Sequence, residues 1–219
     1  IGLVEHEETQ LRQVEGAALQ VVHDAARGAD HHVHAAAQRR KLAAAGVTTR
    51  IVAGPELTDQ EMRLVFAYYL DTIQKFFYGQ QYLNEEFFLR LRHTLADRLQ
   101  VVFAEVEGKP FGAAFNLVKG DRLYGRYWGA QQEIPFAHFE TCFYRPIEWC
   151  IEQGIKIFEP GAGGEHKFER GFTPTLTYSA HYLRHPGLRR AVTAYLIEER
   201  AHIKEHLKYL HQQSPFKSP

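Results

Sequence analysis

The stretch from Leu99 to Gly129 reads LQVVFAEVEGKPFGAAFNLVKGDRLYGRYWG and contains three apolar runs with short interruptions. The first interruption is Gly108-Lys109-Pro110, and the second is Lys119-Gly120-Asp121. Glycine, proline and aspartate favour tight turns, and connections this short join neighbouring strands into antiparallel hairpins. The stretch therefore predicts three consecutive antiparallel strands, at 99–107, 111–118 and 123–128.

Helical patterns lie on both sides of these strands. Thr58 and Glu61 have capping-box spacing, and apolar residues at helical intervals follow them. Asn84 is a second N-cap candidate, and a helix predicted over 138–153 contains Pro146, which we expect to bend it. The helix that starts at Asn84 is predicted to end near Arg98. The other predicted elements are strands at 48–52, 155–158 and 175–183 and a last helix at 186–211. This order predicts a layered α/β (α+β) fold with a mixed, mainly antiparallel sheet flanked by helices.

The N-terminal segment differs from the rest of the chain in composition. Residues 1–37 hold no aromatic side chain and include the histidine-rich run Asp30-His31-His32-Val33-His34. Histidines in such a short run rarely converge on one ion without a scaffold, so we interpret the run as a solvated helix or a disordered lead-in. We predict a helical or poorly ordered segment at 1–46, a single domain at 47–213 and a tail at 214–219.

Charge and hydropathy exclude several classes of protein. The 26 Lys and Arg residues cancel the 26 Asp and Glu residues, so the totals give no reason to expect DNA binding. No apolar stretch approaches the roughly 20 residues that span a bilayer, and no secretory signal opens the sequence. We expect a reduced, cytoplasmic protein. Because the chain begins with Ile1 and has one methionine, we also expect a fragment or a processed piece.

A glycine-rich, charged segment at 161–171 follows the strand predicted at 155–158. Within six residues it contains Glu165, His166, Lys167 and Arg170. Carboxylates and imidazoles can move protons, and cations can hold a negatively charged substrate. A surface loop with salt bridges is the alternative interpretation.

A second candidate lies on the strand predicted at 123–128. Strand alternation places Tyr124, Arg126 and Trp128 on one face and Tyr127 on the other. An arginine among aromatic rings can stack and hold an anion. The alternative is a packed sheet face with Arg126 in a structural ion pair.

Other patterns argue against several common chemistries. His202 and His206 fit the H-x-x-E-H zinc-peptidase spacing, but few residues remain for a third ligand, so we predict no metal site. No Walker loop, dinucleotide fingerprint or Gly-x-Ser-x-Gly elbow occurs. Cys142 and Cys150 share one predicted helix at a separation too long for a disulfide, and we expect buried, inert thiols.

Four segments resemble a bacterial family of GNAT-fold proteins known as peptidoglycan biosynthesis/recognition proteins, which are related to the FemABX aminoacyltransferases. The most specific is EPGAGGEHK at 159–167, followed by Arg170-Gly171-Phe172. The other three are LYGRYWG at 123–129, FAHFETCFY at 136–144 and YSAH at 178–181. The likeness runs from about Gln38 to about Ile197, which is most of the chain.

The resemblance implies a GNAT-like fold and an acyltransferase that moves an acetyl or aminoacyl group to an amine, such as that of a peptidoglycan precursor. The alternatives are a non-catalytic module that binds peptidoglycan fragments or a protein, and a zinc hydrolase. Family proteins are usually longer and have two GNAT-like halves, so we expect one half here and a homodimer that covers its exposed edges. The acetyl-CoA loop of typical GNAT enzymes is absent, so acetyl-CoA and aminoacyl-tRNA both stay open as donors, with no tightly bound cofactor.

Residue roles follow from the resemblance and the charged segment together. We predict Glu165 or His166 as the catalytic proton acceptor. In the related FemABX proteins a Lys-Gly-Phe near the C-terminus lies by the substrate, and Arg170 stands in place of that lysine, so the resemblance implies only an anion-holding role for it. The other predicted substrate-binding residues are the anion holders Arg126 and Lys167 and the cleft-lining residues His138, Glu140, Tyr178 and His181.

Overall fold

A computed structural model of the chain describes residues 12–22, 29–75, 80–161, 165–168 and 170–212. The tail predicted at 214–219 lies outside these residues. The chain divides into two compact units, one formed by 20–161 and the other by 1–19 with 162–219. The single domain predicted at 47–213 stays a prediction.

Seven strands and seven α-helices make up the described part of the chain. The strands are β1 (Arg12–Val22), β2 (Val47–Ala53), β3 (Leu99–Val106), β4 (Lys109–Lys119), β5 (Arg122–Ala130), β6 (Ile157–Glu159) and β7 (Thr173–His181). The helices are α1 (Ala29–Ala44), α2 (Asp59–Gln74), α3 (Glu85–Leu95), α4 (Ala137–Phe139), α5 (Arg145–Glu152), α6 (Glu165–Phe168) and α7 (Pro186–Gln212). Among the described residues, no helix is long and apolar enough to span a membrane.

The sheet of the 20–161 unit confirms the predicted hairpins. Its strands run in the order β2-β3-β4-β5-β6, and each of the pairs β2–β3, β3–β4 and β4–β5 is antiparallel. The β5–β6 pair is parallel, and the last residues of β1, Val21 and Val22, pair antiparallel with β6. The sheet is therefore mixed and mainly antiparallel, as the sequence predicts.

Helices cover both faces of this sheet. On β3, Phe103 belongs to an apolar cluster with Met62 of α2 and Phe88 of α3. The next residue, Ala104, belongs to a second cluster with Leu42 of α1. Because successive strand residues point to opposite faces, α2 and α3 cover one face of the sheet and α1 lies on the other.

The predicted helix signals are confirmed at the start of α2 and α3. Thr58 accepts a hydrogen bond from the Glu61 backbone N–H at 3.2 Å, and the Glu61 carboxylate accepts one from the Thr58 backbone N–H at 2.8 Å. Asn84 Oδ1 accepts from the Phe87 N–H at 2.9 Å. Each cap satisfies backbone donors that the first helical turn leaves without a partner.

The helix predicted at 138–153 is present as a continuous helical segment at 137–152, with a π turn in place of a simple bend. The π turn, Glu140–Tyr144, separates α4 from α5, and Pro146 is the second residue of α5. Proline has no N–H, and its ring collides with the carbonyl of the residue four earlier in an α-helix. A wider turn at that position avoids the collision.

In the other unit, the charged segment is more regular than the sequence indicates. The loop predicted at 161–171 contains the one-turn helix α6. β7 begins and ends two residues before the predicted strand, and α7 matches the predicted helix to one residue. The His211 ring nitrogen Nε2 lies 2.9 Å from the Pro174 carbonyl oxygen, which ties the end of α7 to β7.

Candidate functional site

The parallel strands β5 and β6 separate after a short paired stretch. Arg122, Leu123 and Tyr124 pair with the three residues of β6. β5 continues to Ala130, and in the described part of the chain no strand pairs with 125–130 on that edge. We call 125–130 the open segment of β5. Two of its carbonyls already have side-chain partners outside β5: that of Trp128 accepts a hydrogen bond from Thr72 Oγ1 at 2.5 Å, and that of Ala130 accepts one from Lys75 Nζ at 3.5 Å. The backbone groups that can bind a ligand on this edge are therefore those at the other positions of the segment.

A β-bulge lies at the start of the open segment. Tyr127 pairs with Phe115 of β4 and Gly125 pairs with Asn116, so Arg126 has no partner on β4. A bulge re-aims side chains and breaks strand alternation. Alternation therefore cannot be used to place Tyr124, Arg126 and Trp128 on one face, because the extra residue falls between them.

Arg126 is exposed at the bulge. Its guanidinium lies over the Tyr124 ring, 5.2 Å from the centroid, and Nη1 donates to the Gly125 carbonyl at 3.2 Å. Among the described residues, no carboxylate lies within ion-pair distance of it. The stacking partner predicted from the sequence is thus present in Tyr124, and the guanidinium is accessible to an anion.

Gly125 marks the point where the two strands part. A Cβ atom built at Gly125 lies 3.3 Å from Pro160 Cα and 3.6 Å from Asn116 Oδ1. The contact with Pro160 is tight, whereas that with Asn116 is an ordinary van der Waals contact, so a side chain at this position pushes against the residue that follows β6. Glycine lets the end of β6 approach β5 closely before the strands separate.

His138 lies in an aromatic cluster. Its ring centroid is 5.7 Å from Trp128, 5.4 Å from Phe139 and 5.3 Å from Phe143. The imidazole is half-buried beside the open segment of β5, through its contact with Trp128. Its predicted role in substrate binding stays a prediction.

Glu140 forms an ion pair with Arg39, which the sequence alone does not predict. Arg39 Nε and Nη2 donate to its two carboxylate oxygens at 2.8 and 2.9 Å, and Arg39 Nη1 donates to Glu148. Burial alone lowers the pKa of Arg39, but hydrogen bonds to Glu148 and Glu140 raise it overall. These bonds give Glu140 a structural role in holding α1 against the π turn. Glu140 also lines a surface pocket together with Arg39, Arg145 and Glu148, and its predicted role in substrate binding stays a prediction.

The charged segment lies in the other unit. Glu165 and His166 are the first two residues of α6, and their side chains lie outside the described part of the structure. Lys167 is buried, with 8% of its surface exposed, and its carbonyl accepts from the N–H groups of Arg170 and Phe172 at 2.9 and 3.2 Å. The structure therefore folds the segment into a compact turn after α6.

Two features fix that turn. Gly171 has φ of +84°, a conformation that favours glycine, and Phe172 is 1% exposed. Arg170, which lies between α6 and Phe172 in the sequence, is half-buried. Of the remaining predicted residues of this unit, Tyr178 lies exposed on β7 and His181 lies exposed at its end. The predicted site residues are thus distributed over both units, with Arg126, His138 and Glu140 in 20–161.

Cysteine chemistry and metal chemistry gain no support from the described residues. Both cysteines are free, and Cys142 is half-buried whereas Cys150 is buried. Burial raises the pKa of the Cys150 thiol to about 12, so the reactive thiolate is scarce at neutral pH. Among the side chains that the structure describes, no three potential ligands of a metal ion gather. The rings of His202 and His206 stack with centroids 6.3 Å apart on an exposed part of α7.

Sequence reasoning misses Tyr127. Its ring packs edge-on against Tyr69 of α2 with centroids 4.9 Å apart, and 39% of the residue stays exposed beside Arg126. Strand alternation places Tyr127 on the face opposite to Arg126. The position of the Tyr127 side chain depends on the bulge, and the bulge arises from the pairing of β5 with β4.

The chain belongs to the FemAB-like family, described as peptidoglycan biosynthesis/recognition, whose model matches residues 31–218. The resemblance stated from the sequence motifs is therefore confirmed. No curated protein matches the chain in sequence.

Several solved structures share the fold. L-PGS from Bacillus licheniformis matches with a TM-score of 0.58 and 14% identity, over 85% of this chain and 65% of that protein. FemX matches with a TM-score of 0.53 and 8% identity, over 79% and 63%. A conserved protein of unknown function from Bacteroides thetaiotaomicron matches with a TM-score of 0.52 and 14% identity, over 81% and 64%. The predicted mixed, mainly antiparallel α/β fold is confirmed, and the chain spans less than two thirds of each of these proteins.

Proposed function

We propose that this protein is an acyltransferase that moves an acetyl or aminoacyl group to an amine of a peptidoglycan precursor. The observation that carries the proposal is the separation of β5 from β6, which leaves the open segment of β5 without a strand partner on one edge. An extended substrate with amide groups can hydrogen-bond to the backbone groups of this edge other than the carbonyls of Trp128 and Ala130, which already accept from Thr72 and Lys75. Family membership supports the peptidoglycan part of the proposal.

The reaction has three requirements. The lone pair of a neutral amine attacks the acyl carbonyl, the nitrogen loses a proton, and the donor leaves as coenzyme A thiol or as the tRNA hydroxyl. A base must take the proton, hydrogen-bond donors must stabilise the oxyanion, and both substrates must be oriented. We assign the base to Glu165 or His166, whose carboxylate or neutral imidazole can accept a proton.

The cations supply the anion-holding groups. Arg126 offers guanidinium donors at the bulge, and Arg170 corresponds, by resemblance, to a lysine that lies by the substrate in FemABX proteins. A hydrogen bond to a charged group is worth about 1.5–3 kcal/mol, which is roughly 10-fold to 150-fold in rate or affinity. Lys167 is a less direct contributor, since its side chain is buried. Tyr178 and His181 complete the proposed substrate-binding set, with His138 beside β5.

A transfer assay with mass detection tests the proposal. The full chain is incubated with a lysine-containing muropeptide and either acetyl-CoA or a mixture of aminoacyl-tRNAs, and the muropeptide mass is measured. We expect the mass to rise by one acyl group with one of the two donors. If the muropeptide binds but stays unmodified with both donors, the proposal that the protein is an acyltransferase is refuted. That result would identify a binding module.

Variants then test the assignment of the base. Glu165→Gln and His166→Gln are compared with Glu198→Gln, an exposed residue of α7, after thermal melts show that all three are folded. We expect one of the first two to lower kcat by roughly 10²–10⁴-fold and the control to match the parent protein. Parental rates in both would show that the base assignment is wrong.

A further inference from the structure

Arg126 and Tyr127 form a pair of exposed hydrogen-bond donors at the bulge of β5. Arg126 has no partner on β4, and Tyr127, which follows it, is 39% exposed. Bulges are frequent beside active sites, where they turn side chains toward a ligand. Their position at a bulge therefore indicates that the two side chains bind a ligand. The residues that support each side chain indicate the chemical class of that ligand.

The ring of Tyr127 rests on a rigid support. Tyr69 is 3% exposed, and its ring meets the Tyr127 ring edge-on at a centroid distance of 4.9 Å and an angle of 76°. The Tyr69 hydroxyl oxygen accepts hydrogen bonds from the backbone N–H groups of Tyr82 and Leu83, both at 3.2 Å. These bonds fix Tyr69, and the edge-on contact in turn fixes the direction of the Tyr127 phenol.

The phenol is a hydrogen-bond donor at neutral pH. Burial and the neighbouring Tyr69 raise the pKa of Tyr127, whereas the charge of Arg126 lowers it by a smaller amount. The hydroxyl therefore keeps its proton. Tyr127 directly follows the bulged residue Arg126 on β5, so both side chains extend from the same short stretch of the strand.

The guanidinium is the charged half of the pair. Stacking on Tyr124 holds it at the surface, and its one hydrogen bond among the described residues goes to the adjacent Gly125 carbonyl. One positive charge and one neutral O–H match a ligand with a single negative charge spread over two oxygens. That description fits a carboxylate better than a phosphate, which carries more charge and calls for more cations.

We propose that Arg126 and Tyr127 together bind a carboxylate group of the acceptor substrate, the guanidinium donating to one or both oxygens and the phenol to the second. Tyr127 is then a substrate-positioning residue that aligns the acceptor along the open segment of β5. The identity of the acceptor as a peptide rests on the proposed function, whereas the carboxylate site rests on the geometry of the bulge.

A binding measurement tests the pair without any need for turnover. The ¹⁵N-labelled full chain is titrated with N-acetyl-D-alanine, and the amide resonances of Gly125 and Arg126 are followed by NMR. We expect saturable shifts, a dissociation constant raised about 5-fold to 10-fold in Tyr127→Phe, and little change in Tyr82→Phe. Tyr127→Phe keeps the ring that packs on Tyr69, so the variant stays folded, and Tyr82 is a matched control because its side chain is 81% exposed.

Two further probes define the ligand class. N-acetyl-D-alanine amide, which has no charge, should cause no saturable shift, and inorganic phosphate should bind more weakly than the carboxylate. The inference is overturned if the parent protein gives no saturable shift, if Tyr127→Phe binds as tightly as the parent, or if phosphate binds more tightly. Saturable carboxylate binding in a chain that transfers no acyl group would refute the proposed function and leave this inference in place.

Discussion

Arg39 near the end of α1 holds both carboxylate oxygens of Glu140, a residue 101 positions away in the π turn. The Glu140 side chain is 12% exposed and that of Arg39 is 35% exposed. The pair is thus removed from much of the solvent that weakens surface ion pairs. It joins α1 to the helical segment that follows β5.

Replacement of Glu140 should therefore affect stability first. We expect Glu140→Gln to lower the free energy of unfolding by about 1–3 kcal/mol, because the change leaves Arg39 with a weakened, partly buried partner. Urea denaturation measures the loss. Glu85→Gln is the control, since its pair with Arg63 is half-exposed on both sides, and it should cost less than about 1 kcal/mol. Equal losses in both variants would contradict the structural role of Glu140.

Acid should destabilise the folded chain through two glutamates. Burial alone raises the pKa of Glu61, but hydrogen bonds from Thr58 and from Arg50 bring it below its usual 4.5. Burial likewise raises the pKa of Glu148, and its bonds to Arg39 and Arg145 lower it overall. A carboxyl with a lowered folded-state pKa stabilises the fold above its unfolded value and loses that contribution as pH falls through the folded value.

The pH dependence can be assigned by substitution. We expect stability to be level near neutral pH and to fall as pH drops below about 4.5, and Glu61→Gln to make that fall shallower. Thermal melts from pH 7 to pH 3 measure it. Glu133→Gln, whose side chain is 88% exposed, should leave the profile as it is. A Glu61→Gln profile that superimposes on that of the parent would refute the assignment.

Gly129 should tolerate no side chain. A Cβ built there lies 1.8 Å from the backbone oxygen of Tyr68, so α2 packs directly against β5 at this glycine. We expect Gly129→Ala to cost about 3 kcal/mol or more in unfolding free energy, because a backbone atom must move. Gly120→Ala is the matched control, since Gly120 has φ of +59° with no atom near its added Cβ. Gly120→Ala should lower the unfolding free energy by about 1–2 kcal/mol from backbone strain alone. If its cost equals that of Gly129→Ala, backbone strain and not lack of space explains the loss of stability in both variants.

The two cysteines should differ in reactivity. With its pKa raised to about 12 by burial, Cys150 should resist iodoacetamide in the folded chain, whereas half-buried Cys142 is the accessible thiol. Intact mass after labelling should show at most one adduct in buffer and two in urea. Cys150→Ala should leave the native adduct count unchanged. Two adducts in buffer would contradict the buried position of Cys150.

Local signals in the sequence predict six of the seven described strands and several helix ends, whereas β1 (Arg12–Val22) lies in a segment predicted to be helical or poorly ordered. The turn sequences between 99 and 129 identify β3, β4 and β5, because glycine and proline act through their own backbone preferences. Thr58 and Asn84 identify two helix starts for the same reason, since a cap bonds to residues two or three positions away.

Features that depend on distant partners are harder to predict. The bulge at Arg126 arises from the register of β5 against β4, and no local pattern announces it. The partner of Glu140 is 101 residues away, so the sequence does not reveal its ion pair with Arg39. The short helix α6 forms within a glycine-rich segment whose composition favours a loop. The position of Arg126 and Tyr127 on β5 therefore depends on the folded sheet.

The comparison of Arg126→Gln with Arg122→Gln in the acyl-transfer assay tests the central claim most directly. Both arginines lie on β5, but Arg122 lies where β5 still pairs with β6 and is bonded to Glu159 at 2.9 Å. We predict that Arg126→Gln lowers kcat/KM by about 10-fold or more and that Arg122→Gln stays within about 3-fold of the parent. A parental rate in Arg126→Gln, or equal losses in both folded variants, would contradict a substrate site on the open segment of β5.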